Sequence, residues 1–375
     1  MARLRMGFIG TGGMARAHLR GLAALKEEGK TPFAVVAACD IVRERARSFA
    51  DEAQQVLGGK CAVYTDYREM LADDKVEVVN LITHHAGHHE IGIPVMKAKK
   101  HLMVEKPLAL TPGLGRKMIA AAKRAGVTLC VAENYRFSPF NRALKRAIEG
   151  GLIGEVYFTL KEFAGVGSDI FCGTPWRHSK ALGGAGPIFD NGVHDADLFL
   201  YLVGEVEEAI SMNARYEKVR TDGKRRIRPT AEDADATVLR FGNGALGHWF
   251  CSWAGHGEGF GLFYIYGSKG CVLDGVVHVD GREPMTSEEL IKRFAPRVRK
   301  DTVASELLDF AEALRKGTRP EIDGEQGLRA MCVSFAALES ALTRKPVRPK
   351  DIYTGRAQAY EDTVLAAYRK SAGGR

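Results

Sequence analysis

Apolar positions in this chain come first as short runs separated by helix-like stretches, and later as longer runs. Leu4 to Ile9 is an apolar, strand-like run followed by a helix-like stretch. Phe33 to Cys39 is a second such run, with a helix predicted from Val42. A short strand at Ala62 to Tyr64 and a short helix at Tyr67 to Leu71 come next. Val76 to Ile82 is largely apolar, as expected of a parallel strand covered on both faces. His101 to Val104 and Val127 to Ala132 read as further strands, with a helix from Thr111-Pro112 to about Ala125 between them. This βα alternation predicts about six parallel strands by Ala132, a doubly wound Rossmann sheet.

Beyond Ala132 the pattern changes. A helix is predicted over Pro139 to Glu149 and a strand over Glu155 to Phe163. Strands follow at Val206 to Tyr216, Ala234 to Phe241, Ala245 to Trp253, Gly261 to Tyr266 and Gly270 to Leu273. Gly242-Asn243-Gly244 is a hairpin signal between two of them. Helices are predicted at about Val303 to Lys316 and Gly324 to Thr343, with a last one in the tail from Gly355 to Ser371. The fold class is therefore α/β plus α+β, with a C-terminal domain built on a large, mostly antiparallel open sheet. The boundary falls near Tyr135 to Gly150, giving a nucleotide domain over 1–135 and a substrate and oligomerisation domain over 136–375. The Gly-rich, polar stretch from Ala164 to Leu182 is long enough to be a functional loop.

Composition narrows the class. The chain has 375 residues, 45% hydrophobic and 27% charged, an ordinary globular balance. No apolar run approaches the roughly 18 to 20 residues needed to span a bilayer, and a strand at the very start argues against a signal peptide. The seven cysteines are dispersed without a C-x-x-C pair, which points to reduced thiols in the cytoplasm. The net charge of +8 comes from scattered basic residues, densest at Arg225, Arg226 and Arg228, and makes no case for nucleic acid.

Candidate chemistry clusters where predicted strands end. Gly10-Thr11-Gly12-Gly13-Met14-Ala15 follows the first strand and opens a helix, in the G-x-G-x-x-A form of a dinucleotide-binding turn. Gly10 permits the tight turn, Gly12 lets the backbone approach a pyrophosphate, and Ala15 lets helix and strand pack closely. The helix start offers free N–H groups to the phosphates. Asp40 ends the second strand, where a carboxylate bonds ribose hydroxyls and repels a 2′-phosphate. That favours NAD, although a helix N-cap is the other reading, and Arg43, Arg45 and Arg47 keep NADP open. Thr83-His84-His85-Ala86-Gly87-His88-His89 places four histidines in six residues. A histidine-rich loop opening the next helix accounts for it better than a metal site. Glu105-Lys106-Pro107 lies at the carboxyl end of a strand, where Lys106 could reach a substrate hydroxyl or simply sit in a surface turn; Pro107 suits a cis bond. Farther on, Gly183-Gly184-Ala185-Gly186 precedes Asp190, His194 and Asp197. Asp190 and His194 are one helical turn apart, which fits proton transfer and equally fits a capping Asp beside an ordinary His.

Gly10, Gly12 and Ala15, Asp40, Thr83 with His88, and Glu105-Lys106-Pro107-Leu108 together resemble the Gfo/Idh/MocA oxidoreductases. The resemblance extends over nearly the whole chain. It implies an NAD(P)-dependent enzyme acting on a sugar, inositol or related polyol. Two departures are visible: the family usually has Thr-Pro-Asn at Thr83-His84-His85, and Ala185 replaces the middle glycine of a triplet. The resemblance makes Lys106, Asp190 and His194 a catalytic trio, with Asp197 bracing the helix. Cofactor contacts are expected at Gly10, Thr11, Gly12, Gly13, Met14, Ala15, Asp40, Thr83, His88, Glu105, Lys106 and Asn134. Substrate contacts are expected at Tyr135, Trp176 and Arg177 beside the trio, with His256 as a plain loop residue. Relatives suggest a homodimer or homotetramer formed through the open sheet. The competing readings are a sugar-modifying enzyme with tightly held NAD, a non-enzymatic NAD(P) sensor and, more distantly, a nucleic-acid binder.

Overall fold

The structure is a computed structural model that describes residues 2–166 and 171–373, and among these it holds fifteen strands and fourteen α-helices. The first half runs β1 (Leu4–Ile9), α1 (Gly13–Glu27), β2 (Phe33–Cys39), α2 (Arg43–Leu57), β3 (Ala62–Tyr64), α3 (Tyr67–Leu71), β4 (Val78–Leu81), α4 (His85–Lys97), β5 (His101–Glu105), α5 (Pro112–Ala125) and β6 (Leu129–Ala132). The second half begins with α6 (Pro139–Glu149), β7 (Val156–Val166), α7 (Lys180–Gly183), α8 (Pro187–Asp190) and α9 (Gly192–Leu202). Then come β8 (Val206–Ala214), β9 (Arg220–Thr221), β10 (Arg226–Ile227), β11 (Ala234–Phe241), β12 (Leu246–Gly255), β13 (Phe260–Gly267), β14 (Gly270–Leu273) and β15 (Val276–Val279). The chain closes with α10 (Ser287–Phe294), α11 (Thr302–Lys316), α12 (Gly324–Thr343), α13 (Pro349–Thr354) and α14 (Ala359–Gly373). Among the described residues no helix is long and apolar enough to cross a membrane.

The chain divides into two compact units. The first holds residues 1–110, 114–137 and 299–327; the second holds 111–113, 138–298 and 328–375. The change at 137 and 138 lies close to the boundary expected from the pattern. The return of 299–327 to the first unit departs from that expectation, and it has a packing cause. Helix α11 carries an apolar stripe of Ala304, Leu307, Phe310 and Ala311, all buried in the core of the first unit. Phe310 meets Phe33 of β2 with ring centroids 6.2 Å apart.

The first unit is a six-stranded parallel sheet in the order β3-β2-β1-β4-β5-β6. The order reverses between β1 and β4, so a ligand crevice is expected outside their carboxyl ends. β4 and β6 are buried along their whole length, as strands covered on both faces must be.

The second unit is a seven-stranded sheet in the order β15-β14-β13-β7-β12-β11-β8. Within this sheet, among the described residues, only the β7–β12 pairing is parallel. The alternation along β11, with Thr237, Leu239 and Phe241 buried and Ala236, Val238 and Arg240 exposed, marks one covered and one open face. α9 lies on the covered face. Its Phe199 packs on Trp249 and Phe241 with centroids 5.6 and 6.0 Å apart. Trp249 Nε1 donates to Asp195 Oδ2 at 3.1 Å, and Trp253 Nε1 donates to Asn191 Oδ1 at 2.9 Å. Two indoles on one face of β12 thus hold the start of α9.

Five features depart from expectation. The expected tail helix is α14, and α13, which Gly355 ends in the left-handed conformation (φ 76°), is an addition before it. Strand β15, the small β9–β10 hairpin and helix α10 are additions to the expected elements. The long stretch from Ala164 to Leu182 is not one loop: it contains the end of β7, a 3₁₀ turn at Pro175–His178 and most of α7. Its residues 167–170 lie outside the described residues.

Trp249 is fully buried, so Trp249→Ala removes the indole and strands the Asp195 carboxylate. A loss of about 3 to 5 kcal/mol is expected from urea denaturation.

Candidate active site

In the first unit every cofactor-facing expectation falls at the carboxyl end of the parallel sheet. The fingerprint turn follows β1, Asp40 follows β2, Thr83 follows β4, Lys106 follows β5 and Asn134 follows β6. Gly10 has φ 86°, and a Cβ there would sit 2.0 Å from the Ile82 carbonyl oxygen. No other residue permits that approach. At Gly12 and Gly13 an added Cβ would meet nothing within 4 Å, so the start of α1 opens onto space that a pyrophosphate can fill.

Asp40 is pinned by the turn it serves. Its Oδ2 accepts from the Thr11 backbone N at 3.0 Å and from Thr11 Oγ1 at 3.1 Å, and its Oδ1 accepts from Val42 N at 3.0 Å. Val42 occupies the N-cap position of α2, so the simple capping account of Asp40 does not hold. The carboxylate is half-buried and fits a ribose diol. These residues fit a dinucleotide: open glycines at a helix start, and a fixed acid at the end of β2.

The histidine run is structural. His84 caps α4, its Nδ1 accepting from Gly87 N at 3.1 Å. His85 and His88 are buried, with ring centroids 5.8 Å apart. His88 Nδ1 donates to the Pro107 carbonyl at 2.7 Å, and Nε2 lies 3.2 Å from the Thr83 carbonyl. Being fully buried, His88 braces the two turns that present Thr83 and Lys106 in place of the direct cofactor contact expected of it. Glu105 is corrected likewise. Its side chain turns inward, its Oε1 accepting from His18 Nε2 at 2.9 Å. Lys106, next along, is half-buried, and its peptide bond to Pro107 is cis. Asn134 donates to Thr302 Oγ1 at 3.0 Å, and Tyr135 is exposed in the same 3₁₀ turn.

In the second unit the glycine-rich turn is also sterically enforced. A Cβ on Gly186 would lie 1.8 Å from the Glu232 carbonyl oxygen. Ala185 is buried without positive φ, so its methyl is tolerated where the family usually has glycine. Asp190 ends α8 and is fully buried. Both of its oxygens are engaged by Arg177 Nη1. The Arg177 guanidinium also lies over the Trp176 and Phe171 rings, 4.6 and 4.9 Å from their centroids. The Asp190 carboxylate therefore faces Arg177 and has no exposed surface of its own. His194 is half-buried, and the backbone between it and Asp190 is not one regular helix. The His194 N–H bonds the Asn191 carbonyl at 3.1 Å, and α9 starts afresh at Gly192. Asp197 is buried. Sequence reasoning missed Asp195, a buried residue of α9 with Trp249 on one oxygen and Lys161 3.4 Å from the other. Its carboxyl is raised by burial, an effect that Lys161 opposes. His256 is an exposed loop residue paired with Glu217 at 2.8 Å.

A nucleotide-binding unit with a pinned acid, joined in one chain to an open-sheet unit carrying a histidine helix, defines a class of two-unit redox enzymes. The chain matches the model described as "Oxidoreductase family, NAD-binding Rossmann fold" over residues 4–133, and the GFO/IDH/MocA C-terminal domain over 141–273. It belongs to the Gfo/Idh/MocA family and is an oxidoreductase whose first unit binds NAD. Myo-inositol 2-dehydrogenase of Thermotoga maritima is 28% identical over 93% of this chain and 99% of that protein. Levoglucosan dehydrogenase of Pseudarthrobacter phenanthrenivorans is 29% identical over 73% of this chain and 74% of that protein. A solved levoglucosan dehydrogenase in complex with NADH superposes with a TM-score of 0.79 at 25% identity, covering 92% of this chain and 99% of that one.

Burial drives the His88 imidazole down to about 3 from an ordinary 6.5, and the neighbouring His85 adds to the effect. The folded-state value lies below the unfolded one, so the native protein binds fewer protons between the two. Its contribution is fully present above pH 6.5 and is lost as pH falls towards 3. Denaturant titrations across that window should show stability falling with acid, and a visibly flatter fall in His88→Gln.

Proposed function

We propose that the protein is an NAD-dependent dehydrogenase of a sugar or cyclic polyol, in which His194 and Lys106 handle the proton of the reacting hydroxyl. The observation that carries this reading is the alignment of the fingerprint turn, Asp40, Thr83, Lys106 and Asn134 at the carboxyl ends of one parallel sheet. The nature of the relatives, a myo-inositol 2-dehydrogenase and a levoglucosan dehydrogenase among them, supports the substrate class. Bound NAD supplies the redox chemistry. His194 accepts the hydroxyl proton as the carbinol is oxidised. Lys106 donates a hydrogen bond to the same oxygen and stabilises the negative charge that develops there. Asp190 holds Arg177 rigid, and Arg177 with Trp176 orients the substrate's other hydroxyls, with Tyr135 as a further contact. Asp40 selects NAD over NADP by repelling a 2′-phosphate. The seven free cysteines suit a reducing cytoplasm.

Absorbance at the NADH band, read with a panel of sugars and inositols and with both cofactors, tests the reading. Lys106→Ala and His194→Ala should each lower kcat by about 10² to 10⁴-fold. Full activity in either would remove its assigned role.

The open face of the second sheet supports the oligomer. Ile210 and Met212 of β8, Val238 of β11, Leu246 of β12, Phe158 of β7 and Phe260 of β13 lie on that face and are exposed. Six exposed apolar side chains on one face, interspersed with polar ones such as the His248–Glu162 pair, suit burial against a second copy. Met212→Asp combined with Val238→Asp should shift the sedimentation of the protein to that of a monomer, leaving the far-UV spectrum unchanged.

A further inference from the structure

A polar cluster lies inside the first unit, beneath the turn that presents Lys106. Its centre is His18 of α1, whose side chain is fully buried. The Asn80 amide of β4 donates to His18 Nδ1 at 2.9 Å. That contact uses the Nδ1 lone pair and leaves the proton on Nε2, which donates to Glu105 Oε1 at 2.9 Å. Glu306 of α11 stands across the same ring nitrogen, 3.7 Å away. Four elements distant in sequence therefore meet at one imidazole. Buried polar groups are costly unless they are fully partnered, and the proposed catalytic chemistry makes no direct use of this one.

The cluster has a geometric consequence. Consecutive residues leaving a strand point to opposite sides. Glu105 is the last residue of β5 and Lys106 follows it. Drawing the Glu105 side chain inward fixes the direction in which Lys106 emerges. We propose that His18 is a positioning residue for Lys106: through its bond to Glu105 it anchors the end of β5 and holds the lysine in its working orientation. This inference rests on the catalytic part given to Lys106 above.

Glu306 completes the account. Burial pushes its carboxyl well above the usual range, and the facing carboxylates of Glu105, Glu133 and Asp301 push it the same way. Held neutral, it does not compete with Glu105 for the imidazole proton. Asn80 sets which ring nitrogen carries that proton, and Glu105 receives it.

Two amide substitutions separate a hydrogen bond from mere filling of space. The side-chain nitrogen of Gln reaches the Nε2 position, whereas that of Asn stops near Nδ1. His18→Gln should keep the bond to Glu105 and a kcat close to that of the original protein. His18→Asn should lower kcat by about 100-fold, with NADH affinity, read by fluorescence titration, unchanged. Equal losses in both variants, a loss confined to NADH affinity, or full kcat in His18→Asn would overturn the proposal. Lys106→Ala is run beside them. If it is inactive while His18→Asn keeps full kcat, only this inference fails; if it is fully active, the catalytic reading fails first. ¹⁵N NMR of the imidazole in the unaltered protein gives an answer even if both variants fail to fold. A neutral ring protonated on Nε2 is expected, and protonation on Nδ1 would end the argument. Glu306→Gln, isosteric with the neutral acid, should leave kcat at neutral pH unchanged. Because the folded-state value of Glu306 is raised, native stability should fall as pH rises through it, and that slope should vanish in the variant.

Discussion

The first unit depends on one close approach of two backbones. β1 and β4 are neighbours where the strand order reverses, and the chain leaving β1 must turn against the carbonyl of Ile82. Only a residue without a side chain passes, so Gly10 stands there with positive φ. Once that turn is made, α1 starts where it does and its free N–H groups face the crevice. His18 then falls below the sheet end at the level of Glu105. Asp40, tied to Thr11 by two bonds, is part of the same turn as much as of β2. Cofactor site and lysine turn are thus built on one steric restriction.

The second unit solves a different problem, which is to hold a short, broken helical segment still on a sheet. The break between α8 and α9 leaves Asn191 and Asp195 as polar groups facing an apolar layer. Trp253 and Trp249 meet them with their indole N–H groups while their rings fill the core. An indole suits this place because it is large and apolar yet carries one donor. Asp190, with no exposure, faces the cation of Arg177, and Arg177 in turn rests on Phe171 and Trp176. The buried carboxylate and the half-buried guanidinium form one paired group, and only the arginine keeps exposed surface.

Buried ionisable groups recur beneath both units, and burial rather than partner charge governs most of them. His88 is driven neutral, Glu306 is held protonated and Asp235 is raised in the same sense. Each sits under a turn or helix end that carries candidate chemistry or supports it: His88 under the Thr83 and Pro107 turns, Glu306 under Glu105, and Asp235 facing the Ile188 backbone of α8. Of the three, His88 is held between the Pro107 and Thr83 carbonyls, whereas the carboxyl oxygens of Glu306 and Asp235 meet no hydrogen-bond partner among the described residues and rely on burial rather than hydrogen bonds to stay in one protonation state.

Local chemistry was legible in the chain itself. The glycine turn, the six βα strands, Asp40 and the Glu105-Lys106-Pro107 turn each depend on neighbours within a few residues, and their spacing declares them. Helix α10 was readable too, since Thr286 and Glu289 form a capping box, though its short length hid it. What only the tertiary structure decided was partnership. His18 and Glu105 are 87 residues apart, Asn80 and His18 are 62 apart, and Trp249 and Asp195 are 54 apart. Periodicity places a residue on a face of its own element but says nothing of which distant side chain will face it. For that reason the pattern gives Asp190 no arginine partner and does not place α11 in the core of the first unit, where Phe310 packs.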